Sequence, residues 1–90
     1  MGQRAVQVVV TGRVQGVGFR WSAVDRATSL GVAGWVRNLR DGSVEAWVEG
    51  PADAVAEMIE WLGEGPSWAS VRHCHVTEQA PLGISDFHVR

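Results

Sequence analysis

The residues in this sequence best suited to chemistry lie in one stretch, Gly12-Arg13-Val14-Gln15-Gly16-Val17-Gly18-Phe19-Arg20. Glycines let a backbone curl so that successive N–H groups point inward, a shape that suits an anion. The stretch closes on Arg20, and a guanidinium can grip two oxygens of a phosphoryl group at once. It lacks the Gly-Lys-Ser/Thr end of a Walker loop, and its glycines do not have the spacing of a dinucleotide motif. Two readings stand at this point. One is an anion nest. The other is a plain connector whose glycines serve turn geometry.

The elements on either side decide where such a nest would sit. Ala5 to Thr11 is a valine-rich run in which Val6, Val8 and Val10 share one face and Gln7, Val9 and Thr11 the other, the period of a strand. From Phe19 to Leu30 the period changes. Phe19, Ala23, Ala27 and Leu30 recur at helical spacing, and Gly31 is a natural stop. The stretch therefore joins a strand to the start of a helix, where unpaired N–H groups and the positive end of the helix dipole collect. A cation in the first helical turn is unfavourable for the helix itself. A bound anion would reverse that sign for Arg20.

Val32 to Leu39 reads as a second strand, and Arg40-Asp41-Gly42-Ser43 as a hairpin turn. Val44 to Glu49 alternates as a third strand. Gly50-Pro51 opens a second helix with proline in its first turn, Val55, Met58, Ile59 and Leu62 form its buried stripe, and Gly63 ends it. Val71 to Glu78 is a strand and Phe87 to Val89 a short terminal one. The order β-α-β-β-α-β plus a terminal strand predicts an α+β fold. This is a ferredoxin-like sandwich, two helices on one face of an antiparallel-rich sheet. That fold hosts many functions and does not choose among them.

Composition bounds the choice. Ninety residues make a single domain, residues 1–90, and a chain this short buries roughly two-thirds of its unfolded surface. The formal net charge is -2, which argues against a general nucleic-acid binder. All eight basic residues are arginine, which removes Schiff-base and Walker-lysine chemistry. One cysteine, Cys74, permits no internal disulfide and suits a reducing compartment. No run approaches transmembrane length, and the N-terminus lacks the pattern of a signal peptide. A cytoplasmic monomer without membrane contact is expected.

Gly12 to Arg20 resembles the phosphate-loop signature of the acylphosphatase family. A second segment, Gly34-Trp35-Val36-Arg37-Asn38-Leu39-Arg40-Asp41-Gly42-Ser43-Val44-Glu45, resembles that family's G-x-V-x-N-x-x-D-G-x-V-E motif. Gly65-Pro66 followed by Ala69 and Val71, and the closing Phe87-His88-Val89-Arg90, also fit. The resemblance covers essentially the whole chain. It implies hydrolysis of the carboxyl–phosphate bond of small acyl phosphates without metal or cofactor. By motif position, Arg20 binds the phosphoryl group, backbone N–H groups of Gln15, Gly16, Val17, Gly18, Phe19 and Arg20 cradle its oxygens, and Asn38 holds the attacking water. Gly18 occupies a variable motif position.

The chemistry agrees with that implication. Phosphoryl transfer passes through a loose transition state, so catalysis is mainly positioning and charge stabilisation. An acyl phosphate releases a carboxylate, whose conjugate acid has a pKa of about 4 by analogy with Asp and Glu, and which needs no proton to leave. A phosphate monoester of an alcohol normally needs a general acid or a metal. The two motifs contain no His and no Cys, and Asp41 sits where a turn former is wanted. An amide such as Asn38 is no base, but it can aim a water in line; a polar strand end or a turn former is its blander role.

Other constellations are weaker. On a strand, His73 and His75 share one face and Cys74 points the other way, so three adjacent ligands on one metal are awkward. Trp21, Trp35 and Trp47 suggest a base-stacking surface, because RNA-recognition modules share this element order. The first strand has no aromatic residue, and Glu45 and Glu49 flank Trp47, so no nucleic-acid partner is expected. Trp68 is either a packing anchor or a wall of the substrate pocket. Arg13, Arg37 and Arg40 either raise the local positive potential or are plain solvated arginines. A relative that binds acyl or carbamoyl phosphate without efficient turnover is the alternative to an enzyme.

Overall fold

The computed structural model describes residues 2–90. The chain order is β1 (Gln3–Arg13), α1 (Phe19–Leu30), β2 (Ala33–Asn38), β3 (Val44–Pro51), α2 (Ala52–Glu64), β4 (Ser70–Gln79) and β5 (Phe87–Val89). The strands form one sheet in the order β4-β1-β3-β2-β5. Every neighbouring pair is antiparallel except β2 and β5. Helix α2 packs on β1, β3 and β4, and α1 packs on β2 and β5, so both helices cover one face. This is the ferredoxin-like sandwich with its extra terminal strand.

The core lies between that face and the helices. Val6, Val8 and Val10 of β1 are fully buried there, as their alternation predicts, beside Val36, Val44, Ala46 and Val48. Phe19, Ala23 and Ala27 close it from α1, and Val55, Met58 and Leu62 from α2. Helix α1 occupies the predicted residues. Gly31 caps it with φ 74, its N–H meeting the carbonyls of Ala27 and Thr28.

Helix α2 departs from expectation at both ends. Pro51 is the N-cap, still extended with ψ 137, and the helix begins at Ala52. It also runs through Gly63. That glycine is exposed and takes no positive φ, so it costs the helix only about 1 kcal/mol relative to alanine. The turn out of the helix needs positive φ two residues later, at Gly65 (φ 73), whose N–H bonds the Trp61 carbonyl at 2.7 Å.

One buried carboxylate organises the open face of the sheet. Glu49 stands on β3 between Ala5 of β1 and Ala33 of β2, two small neighbours in register. The segment from β4 to β5 crosses the sheet there. The Glu49 carboxylate accepts hydrogen bonds from the backbone N–H groups of Leu82 (3.0 Å), Gly83 (2.9 Å) and Ile84 (3.2 Å), and from Trp47 Nε1 (2.8 Å). Burial pushes its pKa up, and the four donors outweigh burial, leaving it below the ordinary carboxylate value. A depressed pKa contributes stability above the unfolded value, about 4.3, that is lost as pH falls through the folded value. Glu49→Gln keeps the shape but turns an N–H₂ toward N–H donors. It is expected to cost about 2 kcal/mol at neutral pH, read as a lower Tm. The gap to the unsubstituted protein should narrow below about pH 4. A gap unchanged between pH 7 and pH 3 would remove Glu49 as the charged clamp.

Candidate active site

Strand β1 ends at Arg13, and α1 begins at Phe19. The five residues between them turn the chain back over the top of the sheet. Gly16 and Gly18 both lie in the left-handed region, with φ 73 and 77. A Cβ on either would meet nothing within 4 Å, so conformation rather than lack of room calls for glycine here. Residues alternating into this region bring successive N–H groups to one concave side.

Gly18 is also the N-cap of α1 and brings no side chain to bond the first-turn amides. The first turn has no acidic residue. Its charged residue is Arg20, a cation at the positive end of a dipole. Among the described residues, Arg20 makes no ion pair or side-chain hydrogen bond. Side chains two positions apart point to opposite flanks of a helix. Ser22 and Arg26 look toward α2, where they line a cleft of about 400 Å³ with Trp61 and Pro66. Arg20, two positions before Ser22, stands on the flank away from α2. A half-exposed cation, uncapped amides and a glycine-built concavity all answer the same ligand, a compact anion.

Asn38 ends β2 at this same end of the sheet. It pairs with Val44, which pairs in turn with Val10 near the end of β1. Gly34 and Val36 share its pleat face and are buried beneath the helices, whereas Asn38 is exposed, past the edge of that cover. No side-chain hydrogen bond among the described residues holds its amide. The turn after it is built without it. Leu39 N–H bonds the Ser43 carbonyl at 2.8 Å, and Gly42 N–H returns to the Leu39 carbonyl at 3.2 Å. The Asp41 carboxylate accepts from the Ser43 hydroxyl and from its N–H, which lowers its pKa and makes Asp41 a turn former.

Gln15 joins the two halves. Its Nε2 donates to the Leu39 carbonyl at 2.7 Å and to the Ser43 carbonyl at 2.8 Å. A side chain at the start of the glycine loop thus fixes its distance to the turn that carries Asn38. By motif position, Gln15 has only a backbone role. The available signal is slight: one polar residue among the apolar Val14, Val17 and Phe19. Gln15→Ala leaves two carbonyls without their donor and is expected to cost about 1–2 kcal/mol. A compact anion such as inorganic phosphate is expected to bind more weakly with the loop unmoored, read as a smaller rise in Tm on adding phosphate. If only the Tm without phosphate falls, the link serves folding alone.

Other residues weighed from the sequence fall elsewhere. Arg37 lies on the open face of the sheet, Nε 2.7 Å from Glu45 and its guanidinium over the Trp35 ring at 5.3 Å, so its charge is spent there. Arg13 and Arg40 are exposed. Trp47 faces Trp35 across the β2–β3 ladder, half-buried on that open face. Trp68 is 79 % exposed and anchors no packing. Cys74 is half-buried, and burial pushes its thiol pKa up, which keeps it a poor nucleophile.

Relatives share the fold and much of the sequence. A family model described as Acylphosphatase matches residues 6–89. The chain is 54% identical over 85 residues to an acylphosphatase of Trichormus variabilis, covering 94% of this chain and 84% of that one. It is 50% identical over 80 residues to an acylphosphatase of Thermococcus kodakarensis, covering 89% and 88%. Among solved structures, an acylphosphatase from Coxiella burnetii superposes with a TM-score of 0.94 at 41% identity, over 98% of this chain and 93% of that one. T. kodakarensis HypF superposes with a TM-score of 0.84 at 31% identity, but the match spans 12% of that longer chain. A family model over residues 6–89 and identity of this order across nearly the whole length show that the chain belongs to the acylphosphatase family.

Proposed function

We propose that this acylphosphatase seats the phosphoryl group of a small acyl phosphate in the N–H cradle from Gln15 to Arg20. The Arg20 guanidinium neutralises its oxygens, and the Asn38 amide aims a water at phosphorus. The water oxygen bonds phosphorus as the bond from phosphorus to the carboxyl oxygen breaks. The carboxylate leaves unprotonated, and the water's proton passes to a phosphoryl oxygen of the substrate. The products are a carboxylate and inorganic phosphate. No general acid is required, because the leaving group is a weak base. The protein is proposed to act as a metal-independent cytoplasmic monomer.

The observation that carries this assignment is the uncapped start of α1, with Gly16 and Gly18 left-handed before it and, in its first turn, an arginine without a partner among the described residues. An empty helix gains nothing from that arrangement. The test is hydrolysis of benzoyl phosphate by the purified chain with excess chelator present. Turnover that survives the chelator is expected, with competitive inhibition by inorganic phosphate. Activity that appears only after metal is restored would overturn the metal-independent reading. Binding of phosphate without turnover would favour a carrier of acyl or carbamoyl phosphate instead.

A further inference from the structure

The proposed reaction uses none of the three histidines, and two of them stand together. His73 and His75 lie two residues apart on β4, an edge strand that among the described residues pairs only with β1. Cys74 between them packs toward the core, so both imidazoles project from the opposite, open face of the sheet. Their ring centroids are 5.9 Å apart and the ring planes differ by 35°. Both residues are exposed, so their rings can turn about χ1 and χ2 without moving the backbone.

We infer that His73 and His75 form a two-nitrogen chelate for a divalent transition-metal ion. An ion bound at about 2 Å from one nitrogen of each ring fits between rings this close. The strand holds the second imidazole beside the first, so the second bond forms within one molecule and at high effective concentration.

The neighbours say which ion. Among the described residues, no group of three or more His, Cys, Asp or Glu side chains surrounds one point. The nearest acid along the rung from His75, across Val9, is Glu45, which is already bonded to Gln7 and Arg37. Two imidazoles and solvent therefore make up the shell. That is too few protein ligands for a closed structural zinc site. It suits an ion that accepts a tetragonal shell of nitrogen and oxygen, Cu²⁺ first and Ni²⁺ after it.

Thr11 adds a second observation. It stands opposite His73 in the β1–β4 ladder, and its hydroxyl oxygen is buried without a hydrogen-bond partner among the described residues. His73 is its register partner, and a turn of the exposed His73 ring would bring an N–H toward that oxygen. That hydrogen bond would leave the other ring nitrogen for the metal, as the outer partners of metal-binding histidines commonly do.

Titration of the chelator-stripped protein with Cu²⁺ tests the site, followed by isothermal calorimetry and electron paramagnetic resonance. One equivalent is expected to bind with a superhyperfine pattern of two equivalent nitrogens. His73→Gln and His75→Gln should each abolish that pattern and weaken binding tenfold or more. His88→Gln should change neither, because His88 lies on β5 at the other edge of the sheet, 3.4 Å from Asp86. Equal Cu²⁺ affinity in the His73→Gln/His75→Gln double variant would overturn the inference. A two-nitrogen signal that disappears in His88→Gln would overturn it too. Neither outcome bears on acyl phosphate hydrolysis, so this site and the proposed active site stand or fall separately.

Discussion

Arg20→Gln is expected to lower kcat/KM for an acyl phosphate by on the order of 10²–10³ or more while leaving the fold intact. The two halves of that expectation have separate causes. The catalytic loss follows from charge. The transferring phosphoryl group spreads negative charge over its equatorial oxygens, and Arg20 supplies the single full positive charge in the first turn of α1. Backbone amides remain in the variant, so some anion affinity should survive. The unchanged fold follows from the absence of protein partners for the Arg20 side chain among the described residues. Removing a cation from the positive end of a helix should even stabilise it, by about 0.3–1 kcal/mol. The Tm of the variant without ligand is therefore expected to equal or slightly exceed that of the unsubstituted protein. Phosphate should reverse the order. A ligand that binds only the folded state raises Tm in proportion to its affinity, so added phosphate should raise the Tm of the unsubstituted protein more than that of Arg20→Gln. Activity within tenfold of normal would show that Arg20 is not the phosphoryl ligand. A large fall in Tm would show a structural role instead.

The parts of this fold legible in the sequence are those set by neighbours in the chain. Helix α1 is fixed by the spacing of Phe19, Ala23 and Ala27 and by Gly31, all within one element. The β2–β3 turn follows from Asp41-Gly42, whose Asp bonds Ser43 two residues on. The left-handed turns at Gly16 and Gly18 follow from the glycines themselves, because backbone conformation is a local property. What stayed hidden depends on distant partners. Gln15 bonds carbonyls 24 and 28 residues away, and no local pattern announces that. Glu49 follows the alternation of an open sheet face, yet the segment through Leu82, Gly83 and Ile84 crosses over and buries it. The small residues in register on either side, Ala5 and Ala33, are the trace of that crossing, and they become neighbours only once the sheet is assembled. Arg37 and Asn38 make the same point about the site. They are adjacent in sequence, but the pleat sends Arg37 to Glu45 on the open face and Asn38 to the opposite face, exposed at the end of its strand.

Asn38→Ala separates the two roles open to that residue. As the group that aims water, Asn38 acts on the attacking oxygen and only weakly on the bound phosphoryl group. Its loss should lower kcat by about 10², the cost typical of a misplaced reactant. KM and the inhibition constant for phosphate should change little, because the cradle and Arg20 are untouched. Arg20→Gln, by contrast, should weaken phosphate binding as well as turnover. As a turn former, Asn38 would instead hold the β2–β3 connection, and alanine would lower stability without a selective effect on kcat. The geometry of the turn favours the first role. Leu39, Gly42 and Ser43 close it with backbone hydrogen bonds, and Asp41 caps it with its own carboxylate. The Asn38 side chain takes no part, so alanine at this exposed position should move stability by no more than about 0.5 kcal/mol. Steady-state kinetics and a thermal melt on the same variant therefore decide the matter. A fall in kcat with an unchanged melt supports the water-aiming role. A lowered Tm with kcat preserved would make Asn38 part of the turn and leave the attacking water to be held from elsewhere.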